Sequence, residues 1–534
     1  MEYAVLFHVL FCEFVFFGAV YGTDTKMMAA QGVTFSSDAS EVTWSHAVNS
    51  RAELERELNG PTNFLEADVS LGLLTGNEFG TMIPIMAHPP DTFSDISLEM
   101  WIDTVINRNT GKGIKLDFKS VNAVEPSLTI LQKHSEKMNS SLWLNADILY
   151  GPIHASNVPV KSDLFLLFCH QYFPTAVHSV GWTTNWYSSF PQETWHYEWM
   201  HVRKMADVIR CFGYENHYPS FTFPVRGIFA SRSIRQLEWL LGVVPGSFLT
   251  IWTAKDDPLD IDDLKQIRSS FPIDKVYYDV PEDLHKELMD VKDSVSYIPE
   301  RVSGFRADQW MTFTRGQGPH CTSYTYISNN TIVFGKSLPT VALFKKLISV
   351  DDERMLRVEG RMKFFSNYEE RTSSLPRSHE LKIVVVDVSL FSKYSTDGSL
   401  DLKESDSDVI WSAVNASELF TFRQNATGNC IMFRLDTSKQ RSFQAWRLSC
   451  SEIKVGLPFD EIVKNGVQVV PHKKRLVLPA APFMIGFVSA GDNHAVIHDL
   501  IISDEKEQPS TGTTVKFNRV LGLMSILLLL FVLI

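Results

Sequence analysis

Residues 64–90 read FLEADVSLGLLTGNEFGTMIPIMAHPP. Two acids, Glu66 and Asp68, stand inside an otherwise apolar run, and His88 ends a second apolar run ahead of two prolines. Side chains alternate faces along an extended strand. Phe64, Glu66 and Asp68 therefore share one face, while Leu65, Ala67 and Val69 take the other. A buried strand tipped with acids toward its C-terminal end fits a parallel barrel, whose pocket opens at that end. The run MIPIMAHP reads as an extra hairpin strand in the following connection.

Outward from this stretch, strand patterns alternate with helical ones. The strands are EVTWSHAV, NFLEADVS, GIKLDFKS, SLWLNADIL, HSVGWTT, SFTFPVRG, SFLTIWT and KVYYDV, with helical runs such as SLEMWIDTVIN and EWMHVRKMADVIRCF between them. Eight such units predict an α/β fold, a TIM (β/α)8 barrel over residues 41–285. A doubly wound open sheet is the alternative, but no glycine-rich phosphate fingerprint follows the first strand. Residues 23–40 read as a flexible lead-in and 286–303 as a linker. From 304 to 503 short alternating runs such as TSYTYIS, LKIVVVDVSLF and APFMIGFVSAG predict a β-sandwich, jelly-roll-like domain, followed by a polar stalk over 504–519.

The net charge of −12 and the lack of a zinc-finger or basic-helix signature exclude a nucleic-acid partner. Residues 1–22, MEYAVLFHVLFCEFVFFGAVYG, read as a secretory signal peptide, with a buried N-terminal helix as the alternative. Residues 520–534 are apolar or small and carry no charge. That is short of the roughly 20 residues a spanning helix needs, and Ser510, Thr511 and Gly512 lie upstream, so the tail has the layout of a GPI signal. A transmembrane anchor is the alternative. Both place the folded chain at the extracellular face of the plasma membrane, or secreted. Sequons at Asn139, Asn329, Asn415 and Asn425 agree with that compartment. With Cys12 in the signal peptide, five cysteines remain, allowing at most two disulfides. The expected pairs, each within one domain, are Cys169–Cys211 and Cys430–Cys450.

Polar residues gather toward the strand ends. Asp117 and Lys119 in KLDFK are two apart, as are Asn145 and Asp147 in WLNAD. His46 closes TWSHA, and Trp182, Arg226 and Trp252 lie near the ends of SVGWT, FPVRG and TIWT. Glu66, Asp68 and Asp117 suit a hard cation, Mg²⁺ or Ca²⁺. His46 and His88 suit acid–base or nucleophilic work, and Lys119 and Arg226 suit an anionic oxygen. Together these parts describe phosphodiester chemistry, with one histidine attacking or activating and the other protonating the leaving oxygen. Asn145, Asp147, Trp182, Arg226 and Trp252 are the expected substrate-binding set. Each residue taken singly also has a structural explanation: a salt-bridge partner for an acid, a core position for a tryptophan.

WSHAVNS, LEADV, PIMAHPP, GIKLDFKS, WLNADI, GWTT, FPVR and VYYD, in this order over residues 42–282, resemble the menorin family. The resemblance implies a barrel related to the phospholipase C-like phosphodiesterases, with His46, Glu66, Asp68, His88 and Asp117 on the positions of that group's histidines and acids and Lys119 on its lysine. The chain departs from the glycerophosphodiesterase pattern after its first histidine, where Ala47 and Val48 replace Arg-Gly, and at Pro89, where that pattern has an Asp after the second histidine. The resemblance further implies a cell-surface cue in neurite and dendrite branching, acting with L1-type adhesion molecules and leucine-rich-repeat receptors.

Overall fold

The computed structural model describes residues 38–297, apart from 78, 139, 154–156, 190, 192–193 and 213–219, and residues 307–506 apart from several segments between strands. The signal-peptide and tail expectations lie outside the described residues, as do Asn139, Asn329 and Asn425. Asn415 is in a helix, Ser407–Ala416.

The alternation read from the sequence becomes eight parallel strands: β1 (Trp44–Ser45), β2 (Phe64–Leu74), β5 (Gly113–Phe118), β6 (Leu142–Tyr150), β7 (Val177–Thr183), β8 (Phe221–Arg226), β9 (Phe248–Trp252) and β10 (Val276–Asp279), paired in that order. The expected hairpin strand is β3 (Ile83–Met86), antiparallel to β2; β4 (Phe93–Ser94) also pairs with β2. The helices are α1 (Arg51–Leu58), α2 (Leu98–Arg108), α3 (Val121–His134), α4 (Ser162–Tyr172), α5 (Trp199–Cys211), α6 (Gly227–Ala230), α7 (Ile234–Val243), α8 (Ile261–Ser270) and α9 (Glu282–Val291). Their starts follow local chemistry: Ser50 and Glu53 form a capping box on α1, Ser97 caps α2 and Asp260 caps α8. The result is a nearly closed, TIM-like barrel. The seam between β10 and β1 is bridged by side chains, with Trp44 edge-on to Tyr277 and His46 beside Asp279.

The barrel is filled in layers. Its floor is aromatic: Phe64, Trp143, Phe248 and Tyr277 are buried and pack with Trp44 in one cluster. Gly113, paired with Phe64, leaves room for that ring, because a Cβ there would collide with it. Above the floor the interior turns polar. The register sets Glu66 beside Lys115, Asp68 beside Asp117, Asp117 beside Asn145, and Asp147 beside Gly181.

Three boundaries differ from the sequence reading. Asp38, Ala39 and Ser40 are buried, and Asp38 accepts from the Arg268 guanidinium on α8 at 2.7 and 3.1 Å, so the end of the supposed lead-in belongs to the barrel. The expected linker begins inside α9, whose polar surface and single buried residue, Leu288, gave it a linker's composition. Residues 504–506, expected in the stalk, belong to the last strand, which runs to Lys506.

The second domain contains β11 (Trp310–Thr314), β12 (Tyr326–Ser328), β13 (Thr331–Phe334), β14 (Thr340–Phe344), β15 (Arg354–Phe365), β16 (Glu380–Asp387), β17 (Glu418–Arg423), β18 (Asn429–Asp436), β19 (Ser442–Ser449), β20 (Val467–Arg475), β21 (Phe483–Ala490) and β22 (His494–Lys506). They form antiparallel sheets ordered β11-β14-β21-β16-β17 and β12-β13-β22-β15-β18-β19-β20. Both sheets contribute to one apolar cluster, including Phe344, Ile383 and Phe487 from the first and Phe334, Met362 and Phe433 from the second. One wall of the barrel docks against this domain. Arg203 on α5, fully buried, pairs with Asp207 at 3.0 Å and donates to the carbonyls of Val333 (3.1 Å) and Tyr324 (2.6 Å). The Tyr326 hydroxyl donates to Asp207 at 3.3 Å. Among the described residues, no helix is long and apolar enough to cross a membrane.

The expected Cys169–Cys211 bridge does not form. Cys169 is a free, buried thiol on α4, whose pKa burial drives up, while Cys211 and Cys430 are each disulfide-bonded. Placing two cysteines in one domain says nothing about whether their Cβ atoms face each other. Cys450, the expected partner of Cys430, lies outside the described residues.

Candidate functional site

Glu66, Asp68 and Asp117 converge at the C-terminal mouth of the barrel, each offering an oxygen within 4.8 Å of the others. Lys119 lies across two of them, its ammonium 2.8 Å from Asp68 Oδ1 and 2.5 Å from Asp117 Oδ2. His46, just past β1, sits at the rim with its side chain 60% exposed. Its Nδ1 is 3.5 Å from Glu66 Oε2 and 3.4 Å from Asp279 Oδ2. Residues read from three separate stretches of sequence thus meet at one mouth.

The electrostatics follow from burial set against neighbours. Burial raises the pKa of Glu66, helped by Asp68, with His46 opposing. At Asp117 burial also pushes upward, but Lys119 and the Asn145 hydrogen bond outweigh it and the carboxyl ends below its ordinary value. Lys119 is raised, because Asp117, Asp68 and Glu66 together overcome its burial. Glu66 and then Asp279 lift His46 to about 10 against burial. Asp279 is held down to about 2, because Lys115 and His46 outweigh burial.

The remaining expected residues divide. Asn145 is in the cluster, donating to Asp117 Oδ1 at 2.7 Å and accepting from Ser179 at 2.5 Å. Asp147 faces the same chamber, and a Cβ on Gly181 would come within 2.6 Å of its Oδ1. Burial, then the charge of Asp117, raises Asp147 to about 7. His88 is exposed at the rim and its Nδ1 lies 2.6 Å from the Pro89 carbonyl; the β2–β3 hairpin brings it there by pairing Ala87 N–H with Asp68 O at 3.0 Å. Arg226 is held by Asp257 at 2.5 and 2.8 Å and stands 5.4 Å from the Trp252 ring centroid, a separate cluster on the same face. Trp182 is a core residue, 1% exposed, with its indole N–H 3.4 Å from His201 O.

Sequence reasoning missed Asp279, Lys115 and Asn49. Asp279 ends β10 as Asp117 stands next to last in β5, so the same rule would have found it. Lys115 is two residues before Asp117 and shares its face; it is 4% exposed and 3.4 Å from Asp279. Asn49 belongs to the loop after β1 and carries no periodic signal.

The arrangement defines a class: a TIM-like barrel with an acid-rich, cation-suited centre at its open end. Comparison with known proteins narrows it. The Menorin N-terminal domain matches residues 38–285. The human "Protein FAM151B" is 39% identical over 251 residues, covering 47% of this chain and 86% of the relative. The chain belongs to the menorin family. Two solved lectin-type structures are also similar. Lectin II from Ulex europaeus is 11% identical at TM-score 0.20, covering 37% of this chain and 92% of its own. The metal-free Emp46p carbohydrate recognition domain is 13% identical at TM-score 0.20, covering 36% and 88%. Likenesses this weak carry neither fold nor function to this chain.

Proposed function

We propose that the barrel mouth binds a divalent cation, Mg²⁺ or Ca²⁺, and cleaves a phosphodiester presented outside the cell. The observation that supports this most is the convergence of Glu66, Asp68 and Asp117 with Lys119. Carboxylate oxygens are the donors such cations take, so the residues fit the ion. When bound, the ion supplies charge neutralisation to phosphoryl oxygens. The chain's own groups do the rest. Asp279 and Glu66 hold His46 through Nδ1 and keep it protonated at neutral pH, leaving Nε2 to give a proton to the departing oxygen. His88, at the rim, is the group to activate the attacking oxygen. Lys119 moves from the acids to the phosphoryl oxygens.

The test is hydrolysis of bis-p-nitrophenyl phosphate and of a glycerophosphodiester by the purified protein. Activity that needs Mg²⁺ or Ca²⁺, disappears with EDTA and is absent from Asp68→Asn supports the reading. A wild type inactive toward both, with a melting temperature indifferent to both cations and EDTA, overturns it.

A second reading is a surface cue in neurite or dendrite branching, partnered by L1-type adhesion molecules and leucine-rich-repeat receptors and held by the C-terminal tail. Two observations favour it: Ala47 offers no guanidinium after the first histidine, and Arg226 is already taken by Asp257. Branching rescued fully by the Asp68→Asn protein separates this role from turnover. Release from cells by phosphatidylinositol-specific phospholipase C separates a GPI anchor from a transmembrane one.

A further inference from the structure

Each of the three clustered carboxylates has one oxygen held by a neutral amide N–H. Ala47 N–H donates to Glu66 Oε2 at 2.8 Å, Asn49 Nδ2 to Asp68 Oδ2 at 2.7 Å, and Asn145 Nδ2 to Asp117 Oδ1 at 2.7 Å. The amide orientations follow from their other partners. Asn49 Oδ1 accepts from the Asp68 backbone N–H at 2.9 Å, so its nitrogen must face the carboxylate; Asn145 Oδ1 accepts from the Ser179 hydroxyl. Ala47 reaches Glu66 from a left-handed backbone, φ 54°, a conformation unfavourable for any residue with a Cβ. The loop carrying it is pinned, with Val48 N–H on Glu66 O at 2.8 Å and the Trp101 indole on Val48 O at 3.0 Å.

The oxygens left over are Glu66 Oε1, Asp68 Oδ1 and Asp117 Oδ2. The last two are the atoms on which the Lys119 ammonium rests. We infer that Asn49 and Asn145, with the Ala47 amide, are positioning groups that turn these three oxygens toward one cation, whose place the ammonium marks. The inference rests on the cation reading above and adds the residues that orient its ligands. Neutral donors are suited to this, since they fix a carboxylate's orientation without neutralising the charge the ion needs. Groups orienting metal ligands in this way typically change affinity by about 10–100-fold when removed.

The experiment titrates Mn²⁺ into full-length wild type, Asn49→Ala, Asn49→Asp and Asn145→Ala, with free Mn²⁺ read by electron paramagnetic resonance and the cation-free melting temperature of each recorded. Asn49→Ala and Asn145→Ala should each bind Mn²⁺ about 10–100-fold more weakly. Asn49→Asp keeps the shape and the acceptor for Asp68 N–H but loses the donor, so it should not restore affinity. Asparagine variants that lower only the melting temperature, with Mn²⁺ affinity unchanged, overturn the positioning role and leave the cation site standing. A wild type that binds no Mn²⁺ overturns both. If Asn145→Ala fails to fold, the partly exposed Asn49 decides.

Discussion

Arg203 and Lys119 are both cations sunk among carboxylate and carbonyl oxygens, one in the seam between the domains and one at the barrel mouth. At the seam the guanidinium meets Asp207 and two carbonyls of the second domain, and Tyr326 completes the acid's shell. At the mouth, among the described residues, the acids Glu66, Asp68, Asp117, Asp147 and Asp279 face the cations Lys115, Lys119 and His46. The seam shows charge used to fix one packing of two domains. The mouth shows an excess of acid, which burial and mutual repulsion answer by raising the pKa of Glu66 and Asp147.

The largest expected effect breaks the seam. Arg203→Ala leaves Asp207 buried without its partner and should cost about 3–5 kcal/mol, measured by urea unfolding and unchanged by Mg²⁺. A loss below the error of the measurement would put the two clusters on the same footing. Next, the mouth: wild type at one hundred times its cation Kd should gain about 2.7 kcal/mol. Asp68→Asn should forfeit that gain on top of the loss that follows from breaking its buried pairing with Lys119, so its deficit should be larger with cation than without. An equal loss with and without cation would make Asp68 a salt-bridge residue only.

The pH dependence sharpens the contrast further. The pKa of His46 is raised on folding, so its contribution is full below about 6.5 and is lost as pH rises through about 10. His46→Gln should flatten that alkaline decline in melting temperature. Asp147 is likewise raised, so folding favours its neutral form below about 3.8 and loses that contribution as pH rises through about 7. Asp147→Asn should therefore melt higher than wild type near about pH 8 and equally near about pH 3. The smallest effect is at Cys169, which lies in neither cluster. It should resist a thiol reagent in the native state and react only on unfolding, with activity and cation affinity untouched by Cys169→Ala.

The acids of β2 were legible because alternation is a local rule: Glu66 and Asp68 share a face wherever that strand lies, and the barrel then fixes which end is open. Lys115 obeyed the same rule but looked like an ordinary lysine, since only the assembled barrel shows that its head, from β5, reaches Asp279 on β10. Asn49 was illegible for a different reason. Its role comes from a loop held over β2 by Val48 and Trp101, contacts that no spacing encodes. Trp182 was misplaced because position near a strand end does not tell which way an indole leans; here it lies against Tyr197, ring centroids 5.0 Å apart. The α9 boundary failed because a helix with one buried residue has the composition of a linker.

The aromatic floor has a consequence for traffic. Trp44, Phe64, Trp143, Phe248 and Tyr277 stop the barrel at its base, so the chamber is a cul-de-sac. On the proposed reading, a ligand that entered past His46 and His88 would have to leave the way it came. Occupants therefore take turns. On that reading a slow-leaving product or a stray anion resting at the doorway would hold up the next occupant.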